Sequence, residues 1–229
     1  METFKSLTAG GCFALLAVVA TNANAAIIHD NGVSLTQQGA NFSQVGGVSI
    51  VADDFSVGAS DTIRSTQFWG THWSSGVLPA NDSFTVTIYG DTGGAPNSGN
   101  IVGTSALSLV SRIDTGFNHN NVSSADILEY IMNLVTPVLL PSAGTYWFSV
   151  VHAAVPGNAT KFAWDRVSNG SPNPYHTSAN SGATWVPSIF DVSYNISNNF
   201  VSTIPEPDTL AILGLGLAGL GFARRRKAA

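Results

Sequence analysis

In the stretch DSFTVTIYG every second side chain is apolar: Phe84, Val86 and Ile88 share one face, with Thr85, Thr87 and Tyr89 opposite. Successive side chains of an extended chain point to opposite sides, so this period of two predicts a strand with one face buried. GTYWFSVVHA repeats the pattern, setting Tyr146, Phe148 and Val150 against Trp147, Ser149 and Val151. GVSIVADDFSV, DTIRSTQFWGTHW, NIVGTSALSLVS, KFAWDRVS and IFDVSYNIS supply further strand candidates, separated by turn-forming clusters such as GDTGGAPNSGN and SNGSPNPYHTSANSG. SSADILEYIMNLV can be read as a helix capped by Ser123 or Ser124, but Leu128, Tyr130, Met132 and Leu134 alternate, which favours a strand. The expected class is all-β: an antiparallel, jelly-roll-like β-sandwich of roughly eight strands over residues 26–197.

Composition agrees. Charged residues make up only 10% of the chain, and Gly is abundant, which suits short strands and many turns better than a helical bundle. Residues 26–203 carry four basic side chains, Arg64, Arg112, Lys161 and Arg166, against eleven acidic ones, a net charge of about −7. Nucleic acid is excluded as a partner on this ground, because phosphate binding needs clustered Lys and Arg.

Both ends read as processing segments. At the N-terminus Lys5 precedes an apolar run from about Gly10 to Ala20, followed by Ala23-Asn24-Ala25 as a small-x-small cleavage site. Residues 1–25 are therefore expected to be a signal peptide that engages the Sec export machinery. The single cysteine, Cys12, falls inside it and lacks the spacing of a lipoprotein site, so the mature body is expected to hold no thiol. At the other end, after a linker over 198–204, Pro205-Glu206-Pro207 precedes an apolar stretch from Leu210 to Ala223 and the basic cluster Arg224, Arg225, Arg226 and Lys227. As a helix the apolar stretch spans roughly 21 Å against a hydrocarbon core of ~30 Å, so it is a marginal membrane span. The basic cluster acts as a stop that stays cytoplasmic and leaves Pro205-Glu206-Pro207 on the outer side.

PEPDTLAILGLGLAGLGFARRRK resembles the PEP-CTERM sorting signal of Gram-negative bacteria, which joins a Pro-Glu-Pro motif, a short Gly- and Leu-rich apolar helix and an Arg-rich end. Asp208 stands where family members have Ser, Thr or Ala. The resemblance implies processing by an exosortase over residues 205–227. It also implies transient anchoring in the inner membrane and delivery to the cell surface or the extracellular polysaccharide matrix. VADDFSV, FTVTIYGDTGGAP, PSAGTYWFSVV and WVPSIFDVSYNI resemble, in that order, jelly-roll domains of exported bacterial proteins, which implies a sandwich and no particular activity.

Chemical candidates in the body are few. Asp91-Thr92-Gly93 and Asp114-Thr115-Gly116 have the triplet of aspartic proteases, but the first lies in a Gly-rich turn where Asp and Gly are expected anyway. The five histidines are scattered without a zinc-type spacing. Asp53, Asp54 and Asp191 are candidate ligands for a structural Ca²⁺, the alternative being that they cap strands and turns. Trp69 and Trp73 share a parity on one strand and are candidates for stacking on sugar rings, the alternative being burial in the core. No other cofactor is expected. The functional expectation is a non-enzymatic structural or adhesive protein linked to exopolysaccharide and biofilm. The alternatives are a carbohydrate-binding module or a secreted polysaccharide hydrolase, which needs two carboxylates about 5–10 Å apart.

Overall fold

The computed structural model describes residues 26–33, 40–44, 49–73, 82–119, 125–153, 161–167 and 174–201. The expected signal peptide with Ala23 and Ala25, and the expected sorting segment with its apolar helix, lie outside these residues. Thirteen strands are described: β1 (Ile27–Asp30), β2 (Ala40–Phe42), β3 (Ile50–Val57), β4 (Asp61–Trp73), β5 (Phe84–Asp91), β6 (Pro96–Asn118), β7 (Asp126–Leu140), β8 (Gly144–His152), β9 (Lys161–Val167), β10 (His176–Ser178), β11 (Val186–Pro187), β12 (Asp191–Val192) and β13 (Tyr194–Ser197). Their ladders are antiparallel, and the described residues contain no α-helix.

The sheet runs β1-β13-β4-β7-β6-β5-β8-β3-β10-β11, with β9 joining β4, β2 and β12 beside this path. Strand β6 makes it curl. Its first half, Pro96 to Ala106, pairs with β5, and its second half, from Leu107 to Asn118, pairs with β7. One long strand thus belongs to two layers, consistent with the expected β-sandwich. On β4, residues 65–68 pair with β13 and residues 70–73 with β9, so two short strands share one edge.

The core lies between the layers and is filled by the alternating apolar positions. Phe68 of β4 stacks on Tyr130 of β7 at 5.1 Å, and both meet the edge of Phe84 from β5. Phe148 of β8 stacks on Tyr194 of β13 with centroids 4.9 Å apart. Leu128, Tyr130, Met132 and Leu134 are all buried, and β7 is a strand held between β4 and β6, as its alternation suggests. The second face of β8 departs from a simple inside-outside pattern. Trp147 is buried there with Ala52 and Tyr89, because the chain returning through β10 and β11 lays Trp185 across that face. The first residues of the expected linker are tied to the body: Val201 N–H donates to Asn133 Oδ1 at 2.9 Å, and Ser65 Oγ donates to the Asn199 carbonyl at 2.7 Å.

Candidate functional site

The inward parity of three strands continues past their apolar residues to one end of the sandwich. On β4 the inward series Phe68, Gly70 ends on His72, and on β8 the series Phe148, Val150 ends on His152. Two residues before Phe84, the same parity places Asp82 at the entry to β5. His152 pairs across the ladder with Phe84, which brings it beside Asp82. His72 Nε2 lies 3.1 Å and His152 Nε2 3.4 Å from the same oxygen, Asp82 Oδ1. Both histidine side chains are 1% exposed and that of Asp82 0%.

Neighbouring groups fix the cluster. Arg112 of β6 donates to Asp82 Oδ2 at 2.6 Å, and the Tyr130 hydroxyl is 2.9 Å from His72 Nε2. Phe162 of β9 packs against both imidazoles, at 5.6 Å from His72 and 6.0 Å from His152. This close approach requires Gly70, where a Cβ would fall 2.5 Å from the Phe162 ring. Burial pushes the Asp82 carboxyl up, but the facing His152, His72 and Arg112 outweigh it and hold the group well below the usual carboxylate range. Chemically the cluster offers two imidazole nitrogens and one carboxylate oxygen to a cation or a proton. Its three side chains are buried among the described residues.

Asp53, Asp54 and Asp191 also come near one another, and burial together with the charges of Asp191 and Asp54 pushes the Asp53 carboxyl well above its ordinary value. Both oxygens of Asp53 nonetheless accept hydrogen bonds: Oδ2 accepts from Asn31 Nδ2 at 2.8 Å and from Val192 N–H at 2.9 Å, and Oδ1 from Asp54 N–H at 3.0 Å. This arrangement clasps β3 to β12 and to the residue following β1. The three ligand atoms of His72, Asp82 and His152 lie within 4.8 Å of one another, and no other His, Cys, Asp and Glu grouping among the described residues is so compact.

Trp69 is 7% exposed, while Trp73 is half-buried with its ring edge-on to His119 at 5.2 Å. Burial of Trp69 removes the exposed pair that stacking on a sugar needs. The two Asp-Thr-Gly triplets serve local backbone. Asp91 accepts from Trp147 Nε1 and Gly94 N–H, and Asp114 from Gly116 N–H. Reading the histidines by sequence spacing missed the His72–Asp82–His152 cluster. The signal that finds it is strand parity, since each of the three extends an apolar face by one step.

A model of the PEP-CTERM protein-sorting motif matches residues 203–227. No curated protein and no solved structure matches the chain. The chain thus carries a PEP-CTERM sorting motif, the mark of an exported protein sorted to the cell envelope, and the motif implies an exosortase as the processing partner.

Proposed function

We propose that the processed β-sandwich is delivered to the cell surface or the extracellular polysaccharide matrix of a Gram-negative bacterium, where it acts as a non-enzymatic structural or adhesive component. The sorting motif at residues 203–227 carries this reading. The body supports it in two ways. Among the described residues, the His72–Asp82–His152 cluster is buried within the sandwich. The outward face of β6 and β7 instead presents apolar residues, with Val135 64% and Leu139 59% exposed on β7 and Ile113 46% on β6. An apolar sheet face of this kind suits association with a partner surface.

The test is fractionation of the exported protein from a matrix-producing culture. Co-sedimentation with the polysaccharide matrix, and loss of matrix cohesion in cells lacking the chain, are the expected results. Release of reducing sugar from that polysaccharide by the purified protein would instead place it among the hydrolases. Recovery wholly in the free medium, with an unchanged matrix, would remove the structural role.

A further inference from the structure

We propose that His72, Asp82 and His152 form a structural site for a borderline divalent transition metal of the zinc type. The first support is distance. Bonds of about 2.0–2.2 Å from a tetrahedral metal to nitrogen and oxygen place neighbouring ligand atoms about 3.3–3.5 Å apart. The Asp82 Oδ1 separations from the two Nε2 atoms, 3.1 and 3.4 Å, are close to such edges.

Proton counting is the second support. Neither Asp82 Oδ1 nor His152 Nε2 has a hydrogen-bond partner among the described residues, although both are buried, so their 3.4 Å contact is not an aligned hydrogen bond. A neutral imidazole has one N–H and one lone pair. If the Nδ1 atoms carry the hydrogens, two Nε2 lone pairs and a carboxylate oxygen face one another, with the Tyr130 hydroxyl near His72 as a donor. If the Nε2 atoms carry them, both Nδ1 lone pairs are stranded, since neither Nδ1 is hydrogen-bonded in the described residues. A cation at the common centre turns the first, repulsive arrangement into an attractive one.

The donor set decides the class of metal. Two nitrogens and one oxygen suit Zn²⁺ and its late first-row neighbours, whereas Ca²⁺ and Mg²⁺ take oxygen shells. The Tyr130 hydroxyl, 2.9 Å from His72 Nε2, adds an oxygen beside this set. Arg112 on Asp82 Oδ2 leaves Oδ1 to face the histidines, in the manner of outer groups that orient a ligating carboxylate. The three residues come from β4, from the entry to β5 and from the end of β8, so a metal here pins both layers at one end of the sandwich.

Co²⁺ titration of the exported, processed protein, stripped with a strong chelator, tests the site. One equivalent taken up with the intense visible spectrum of a four-coordinate ion is expected, displaced by Zn²⁺ and accompanied by a raised melting temperature. Asp82→Asn and His152→Gln should each weaken uptake by at least tenfold, while His119→Gln, outside the cluster, should not. Should neither cluster variant fold, X-ray absorption of the Zn²⁺-loaded wild type decides: a shell containing two imidazoles supports the site, and an oxygen-only shell overturns it. No stoichiometric uptake by the wild type, or equal uptake by the folded variants, also overturns it.

Discussion

Asp53 Oδ2 and the backbone N–H of Val192 lie 2.9 Å apart, and this contact joins the middle of β3 to β12 in the interior of the fold. The same oxygen holds Asn31 Nδ2 at 2.8 Å, so one carboxylate oxygen ties together three segments distant in sequence. Asp53→Ala strands both donors and is expected to destabilise the domain by about 2–4 kcal/mol. Asp53→Asn, which keeps an acceptor, should cost about half as much. Chemical denaturation of the two variants measures the difference, and equal losses would show that packing rather than the clasp is at stake.

Asp165 on β9 makes stability depend on pH. Its side chain is buried, and desolvation pushes its carboxyl up to about 7, against the hydrogen bond from the Arg166 backbone and the Arg166 charge. The folded state therefore keeps a proton that the unfolded chain releases near pH 4. Its contribution is full below about pH 4 and is lost as the pH rises to and through about 7, a loss on the order of 4 kcal/mol for this group alone. Asp165→Asn removes the titration, so its unfolding free energy should be flatter than that of wild type between pH 4 and 7. Parallel curves would assign the pH dependence elsewhere.

Gly70 lets β9 approach β4. An added Cβ would meet the Phe162 ring at 2.5 Å and the Ala163 carbonyl oxygen at 2.7 Å, and the latter, being backbone, cannot swing aside. Gly70→Ala should cost about 2 kcal/mol through overpacking, read as a lowered denaturation midpoint. Because Phe162 lies against His72 and His152, the same substitution should also disturb their ring resonances in an NMR spectrum.

Much of the body is legible from its alternating residues. Phe84, Val86 and Ile88 point inward as the sequence pattern suggests, and the strand reading of residues 126–135 holds because Tyr130 and Met132 keep the period of two. Long-range placement is not legible from that pattern. Nothing local to Trp147 says that Trp185 will cover it, and nothing in β6 announces where it passes from one partner to the other, since both depend on how distant segments meet. The site residues were hidden for a related reason. His72, Asp82 and His152 have no common spacing along the chain, and only their shared inward parity at strand ends brings them together.

Intact-mass measurement of the protein recovered from cells that possess an exosortase tests the sorting address at residues 203–227 most directly. Wild type is expected outside the inner membrane, shortened near Pro205-Glu206-Pro207. A chain carrying Pro205→Ala, Glu206→Ala and Pro207→Ala keeps the apolar run and the Arg224 to Lys227 cluster, so it should insert as before and accumulate uncut in that membrane. Wild type that retains residues 204–229 in such cells would contradict sorting by an exosortase and leave the tail as a short anchor.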